Sequence, residues 1–181
     1  MSHGSGGASE WVLRWAHLVP AGAALLDVAC GRGRHARLFA GRGCRVLAVD
    51  RDPEALAALQ GVAGIEVRQA DLEGGPWPFA PGAFDAVVVT NYLHRPQFPH
   101  FVAALRPGGV LIYETFMLGN ARFGKPSNPD FLLRPDELLE AFSGPLTVAG
   151  FEQGEAGRPP RAVVQRICAV RGAAEALTLP A

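Results

Sequence analysis

Residues 25–40 read LLDVACGRGRHARLFA, from Leu25 to Ala40. Apolar residues lead into an acid, two glycines follow one residue apart, and a helix-like segment comes next. This is the sequence form of a buried strand, a turn that lets a ligand approach the backbone, and a helix. Gly31-Arg32-Gly33-Arg34-His35-Ala36 satisfies the G-x-G-x-x-G/A pattern of dinucleotide sites, and Asp50 follows at the spacing of a ribose-binding acid. The turn by itself therefore leaves a nicotinamide cofactor open.

The flanks extend the pattern. Glu10–Val19 places Trp11, Val12, Trp15 and Leu18 at helical spacing, and Pro20 and Gly22 end that helix. Ala24–Val28 reads as a strand buried on both faces. Arg34–Ala40 is helical and closes at Gly41-Arg42-Gly43. Arg45–Val49 is the next strand. Asp52-Pro53 then starts a helix, with the acid as N-cap and proline in the first turn, running to Gln60. Ile65–Gln69 and Phe84–Val89 are further strands. A helix over Gln97–Leu105 is broken by Pro107-Gly108-Gly109, and Val110–Phe116 is a fifth strand. After a helix at Pro135–Phe142, Leu146–Gln153 and Ala162–Arg171 are strands with only GEAGRPPR between them. Alternating strands and helices predict a parallel sheet covered on both faces, and so short a final connection requires an antiparallel pair. The predicted fold is α/β: one Rossmann-like, doubly wound, mostly parallel seven-stranded sheet with an antiparallel C-terminal hairpin. Residues 1–9 read as a flexible leader, 10–175 as the domain and 176–181 as a tail.

Composition narrows the function classes. Hydrophobic residues make up 49% and charged residues 19%, which places the chain among globular proteins. The formal net charge of +0 gives no global reason to expect a nucleic acid or an anionic membrane as partner. No apolar run approaches the ~20 residues that cross a bilayer. Cys30, Cys44 and Cys168 are odd in number and lack metal-ligand spacing, so no metal is expected and a reduced cytoplasmic location is the default.

Three features shift the weight between cofactors. A carboxylate at Asp27, immediately ahead of the turn, suits an ammonium rather than a pyrophosphate. Asp71-Leu72 ends the third strand, where an acid can accept from an adenine amino group. The terminal hairpin belongs to a methyltransferase sheet rather than a dinucleotide sheet. At this point the chain resembles the class I S-adenosylmethionine-dependent methyltransferases. LLDVACGRGRHARLFA looks like their first motif, VLAVDRDPEAL like the segment after it and RQADLEGGPWPF like the second motif. FDAVVVTNYLH and LRPGGVLIYETF look like the fourth and fifth strands, so the resemblance runs from about Trp11 to Arg171. Within the class, DVACGRGRHAR and GNARFGKPSNPDFLLRPDELL are similar to small bacterial methyltransferases grouped with tellurite-resistance-type proteins.

The resemblance implies roles. S-adenosyl-L-methionine is the expected cofactor and S-adenosyl-L-homocysteine the product. Ala29, Gly31 and Gly33 would let the cofactor's amino acid portion lie against the turn, and Asp27 would orient or neutralise its ammonium through water. Asp50 would accept from the ribose hydroxyls, with Arg51 flanking the adenine and Asp71 and Leu72 fixing its edge. Asn91 and Tyr92 would face the methionine part. His94 is the first candidate for a general base where the acceptor must lose a proton, with Tyr92, Tyr113 and Glu114 also near. Cys30 reads as a packing residue, because methyl transfer needs no covalent enzyme intermediate. Thr90-Asn91-Tyr92-Leu93-His94 departs from the Asn/Asp-Pro-Pro-aromatic motif of amide and amino methylation. Gly119–Arg134 carries Arg122, Lys125 and Arg134 against Asp130, and Phe116, Phe123 and Phe131 would line an acceptor pocket or pin the loop. The expected function is methyl transfer to a small molecule, without nucleic acid or membrane. The alternatives are a non-catalytic S-adenosylmethionine-binding partner and an NAD(P)-dependent oxidoreductase.

Overall fold

The computed structural model describes residues 7–173 and 177–180. The first six residues of the expected leader, and 176 and 181 of the expected tail, lie outside the described residues. In chain order the elements are α1 (Glu10–Trp15), β1 (Ala24–Val28), α2 (Arg34–Gly41), β2 (Arg45–Asp50), α3 (Pro53–Ala57) and β3 (Ile65–Gln69). There follow β4 (Phe84–Thr90), α4 (Phe98–Ala104), β5 (Leu105–Phe116), α5 (Glu137–Phe142), β6 (Thr147–Ala156) and β7 (Ala162–Val170).

The strands form one seven-stranded sheet in the order β3-β2-β1-β4-β5-β7-β6. The first five lie parallel, while β7 runs antiparallel between β5 and β6. The predicted architecture stands, including the reversed hairpin, and the strand order is not that of a dinucleotide fold. The oxidoreductase reading loses its structural basis there.

Adjacent residues of each central strand point to opposite faces, so both faces need apolar cover. Leu26, Val28, Val87, Val89, Leu111 and Tyr113 face α4 and α5, where Phe101 and Phe142 complete a cluster. Leu25, Val46, Val88 and Ile112 face the other way, toward Phe39 of α2 and Trp11 and Trp15 of α1. Asp52 caps α3 as expected, its side chain accepting from Glu54 N–H at 2.9 Å.

Two boundaries differ from expectation. Pro107-Gly108-Gly109 does not separate α4 from a later strand: β5 begins at Leu105, and the register jumps from Phe84↔Leu105 to Ala86↔Val110. The two glycines are held inside the strand because Gly108 N–H donates to Arg171 O (2.6 Å) and Arg171 N–H to Gly109 O (2.8 Å). The bulge absorbs the extra residues, so tertiary pairing overrides the local turn signal. The helix α3 ends at Ala57 and continues as turns, which bring Leu59 beneath the glycine turn.

Candidate cofactor site

The site sits at the carboxyl ends of β1, β2 and β4, where the chain turns from sheet to helix. Ala29, Gly31 and Gly33 all have positive φ, at 51°, 55° and 75°. The two glycines do different work. A Cβ on Gly33 would meet Leu59 Cδ2 at 2.4 Å, so that glycine serves packing. A Cβ on Gly31 would meet no protein atom within 4 Å, so that glycine borders open space. Gly31 is the one that leaves a ligand room to reach the backbone.

The second strand closes the turn from the side. Asp50 Oδ2 accepts from Gly31 N–H at 2.7 Å, and its Oδ1 accepts from Asp52 N–H at 2.9 Å. The two backbone donors fix the carboxylate's orientation, and each oxygen keeps a lone pair for a further donor such as a ribose hydroxyl.

Asp27 is the unusual member. It is 1% exposed, and no donor meets either carboxylate oxygen with full hydrogen-bond geometry, although the Ala36 N–H lies near enough to act on it. Burial pushes its pKa up to about 7; the Ala36 backbone N–H and the Arg34 charge pull it back only in part. A buried carboxylate without partners is costly and calls for an explanation. An ammonium brought to the turn supplies one, because it gives the ionised form the donors it lacks. Among the described residues the orphaned carboxylate and the open face of Gly31 fit S-adenosylmethionine, which carries an ammonium and no phosphate.

The third and fourth strands supply the far side. Asp71 is exposed and acts as a turn acid. Its Oδ1 accepts from Glu73 N–H (2.9 Å) and Gly74 N–H (3.2 Å), and these donors hold its pKa below the usual range. The Arg51 charge adds to that lowering. Leu72 is buried, and its carbonyl accepts from the Gln97 side chain. Asn91 has φ 55°, and its N–H donates to Glu114 O at 2.9 Å. Tyr113 Oη donates to Tyr92 O at 2.8 Å and so pins the loop after β4. Burial, and then the nearby Glu73 and Asp71, raise the Tyr92 phenol, which therefore stays protonated and keeps a hydroxyl proton to donate. His94 lies on the Asp71 side, lining a cleft of about 540 Å³ with Glu73, Trp77, Gln97 and His100. The Cys30 thiol is also pushed up, by burial and then by Asp27 and Asp50. It is no nucleophile, in line with its packing role.

Ser9, Arg166 and Glu152 at this end were not singled out by sequence, and they join Glu114, which was. Ser9 caps α1, its N–H donates to His35 Nε2 (3.1 Å), and its hydroxyl donates to Glu114 Oε1 (2.7 Å). Since Nε2 accepts, Nδ1 carries the proton and faces Thr90 Oγ1 at 3.3 Å. His35 is 2% exposed, and burial lowers its pKa to about 4, so it is a neutral structural link rather than a solvated residue. Thr90, Glu114, Arg166 and Glu152 stand side by side across β4, β5, β7 and β6, with Arg166 paired to Glu114. Ser9 ahead of an apolar helix is a readable cap signal; partners such as Gln97 and Leu72, far apart in sequence, leave none.

A family model described as a methyltransferase domain matches residues 25–109. The chain is 33% identical over 178 residues to the tRNA U34 carboxymethyltransferase of Methylococcus capsulatus, covering 80% of this chain and 52% of that one. It spans about half the length, or less, of the curated relatives it matches. Among solved structures, an S-adenosylmethionine-dependent methyltransferase from Mesorhizobium loti superposes with a TM-score of 0.72 at 19% identity, covering 91% of this chain and 99% of that one. TehB from Haemophilus influenzae gives 0.73 at 16% identity, covering 93% and 63%. With the glycine turn, the orphaned acid beneath it and the reversed hairpin, these likenesses give the chain the fold of the S-adenosylmethionine-dependent methyltransferases, with a methyltransferase domain matched over residues 25–109.

Proposed function

We propose that the protein transfers a methyl group from S-adenosylmethionine to a small-molecule acceptor by direct in-line displacement, leaving S-adenosylhomocysteine. The observation that carries this reading is the buried, unpartnered carboxylate of Asp27 under a turn that is open at Gly31. The cofactor, when bound, supplies a methyl on a sulfonium, which needs no activation by a covalent enzyme intermediate.

The chain's own residues then bind, orient and exclude water. Asp27 holds the ammonium, and the backbone of Ala29 and Gly31 carries the amino acid portion, with Gly33 shaping the turn by packing on Leu59. Asp50 takes the ribose, Arg51, Asp71 and Leu72 the adenine, and Asn91 and Tyr92 the methionine side. Tyr92 orients the reacting groups through a hydrogen bond from its hydroxyl. His94 is the residue proposed to take a proton from an acceptor that must lose one. It adjoins Arg95, whose guanidinium binds Asp130 O (3.1 Å) and Leu132 O (3.0 Å), so the loop after β5 ends beside it. Free thiols at Cys30, Cys44 and Cys168 suit a cytoplasmic setting.

The likeness to a tRNA U34 carboxymethyltransferase raises a nucleic-acid acceptor as the competing reading. The formal net charge of +0 favours the small molecule, since a nucleic-acid face needs many cations. The deciding experiment is calorimetric titration with S-adenosylhomocysteine, NADH and NADPH in parallel. Micromolar binding of S-adenosylhomocysteine alone is expected, weakened more than ~10-fold by Asp50→Ala through the lost ribose bonds. Binding of a nicotinamide cofactor, or of none of the three, would refute the proposal.

A further inference from the structure

The loop that leaves β5 and the tip of the β6–β7 hairpin meet at the carboxyl edge of the sheet. Met117 N–H donates to Val163 O (3.0 Å), and Asn120 bridges Val163 N–H (3.0 Å) and Pro126 O (3.0 Å). Arg122 of the loop pairs with Glu155 of the hairpin at 2.6 Å. This edge adjoins the end of β4, because Thr90 stands opposite Glu114 and Asn91 N–H donates to Glu114 O.

Two properties coincide there. Five large hydrophobic side chains are exposed among the described residues, and three of them stand on this one loop: Leu118 at 41%, Phe123 at 37% and Phe131 at 56%. Scattered exposed apolar residues are ordinary, but a local concentration marks a binding surface. Lys125, Arg158 and Arg161 are exposed on the same two segments and take part in no ion pair among the described residues. The neighbouring Arg122 and Arg134 are instead neutralised by Glu155 and by Glu137 and Glu140. Asp130 and Asp136 are the carboxylates of these segments outside an ion pair among the described residues, so three free cations face two free acids and the balance is positive.

We infer that this edge receives the methyl acceptor, and that the acceptor is an amphipathic small anion. Its apolar body lies on Leu118, Phe123 and Phe131, and its carboxylate or phosphate group faces Lys125, Arg158 and Arg161. The inference rests on the methyl-transfer reading and names its substrate class. An apolar surface with three free cations is poorly matched to a nucleic acid, which typically engages about six to ten phosphates.

The test uses the full chain saturated with S-adenosylhomocysteine and two fluorescent probes. 1-Anilinonaphthalene-8-sulfonate has an aromatic body and an anionic group; N-phenyl-1-naphthylamine has the same body without the charge. The anionic probe is expected to bind at least about tenfold more tightly than the neutral one. The combined Lys125→Gln, Arg158→Gln, Arg161→Gln variant should remove about that tenfold for the anionic probe only. Phe123→Ser with Phe131→Ser should weaken both probes. All these side chains are exposed, so S-adenosylhomocysteine affinity should stay unchanged and serves as the folding control. Equal affinity for the two probes, or variants without effect, would overturn the inference. Displacement of the anionic probe by transfer RNA but not by dodecyl phosphate would overturn it in favour of a nucleic acid. Failure of every protein to bind S-adenosylhomocysteine would instead strike the methyl-transfer reading, while the probe pair still judges this edge.

Discussion

Cofactor binding to this protein should release a proton, and the proton should come from Asp27. Its carboxyl is buried without partners and has a pKa near 7. An ammonium seated against it favours the ionised form, so below that pKa binding must displace the proton. At pH 6.0 about nine-tenths of the protein carries it, and at pH 7.5 about a quarter does. S-adenosylhomocysteine should therefore release about 0.9 proton at pH 6.0 and about 0.2 at pH 7.5, with affinity rising about eightfold between them. His35, with a pKa near 4, stays neutral across this window. Calorimetry at each pH in two buffers of different ionisation enthalpy measures the proton count. Asp27→Asn should abolish the release and weaken binding at pH 7.5 by about 30-fold or more, because the ammonium then lacks its counter-charge. A count near zero at pH 6.0, or one that survives in Asp27→Asn, would refute the assignment of the ammonium to Asp27.

The same groups shape stability without ligand. Asp27 has its pKa raised on folding, from 3.8 to about 7, so the stability it contributes below pH 3.8 is lost as pH rises through 7, by roughly 4 kcal/mol at most. His35 has its pKa lowered, from 6.5 to about 4, so its contribution is present above pH 6.5 and lost as pH falls through 4. The two slopes oppose, and urea melts should show Asp27→Asn gaining stability between pH 4 and 6.5 where the wild type stays nearly flat; parallel curves would contradict this. At the turn, Gly33→Ala should destabilise by about 1–3 kcal/mol through its clash with Leu59, and Leu59→Ala should recover part of that loss. Full additivity of the two substitutions in denaturant titrations would show that they do not meet.

The fold was legible because local and periodic signals agreed. Ala24–Val28 and Ile65–Gln69 were bounded correctly from apolar runs between turn residues, and Asp52-Pro53 announced α3 through cap chemistry that acts within three residues. The brevity of the last connection sufficed to reverse β7, since no parallel crossover fits it. The continuation of β5 through Pro107-Gly108-Gly109 was not legible, because the partner that holds those glycines in the sheet is Arg171, at the far end of the chain.

The site divides the same way. Motif order indicated which residues converge, but not what each does on arrival. Sequence cannot separate Gly33, which is filled by Leu59, from Gly31, which opens to solvent, because the difference lies in what a distant turn places against each. Nor can it tell that His35 is locked between Ser9 and Thr90, or that Asp27 is buried with no donor in full hydrogen-bond geometry. Chain-local chemistry determined the strands, the turn and the candidate ligands. Burial and partner geometry, which exist only once separated segments pack together, decided which acid is pushed toward its neutral form and which glycine borders open space.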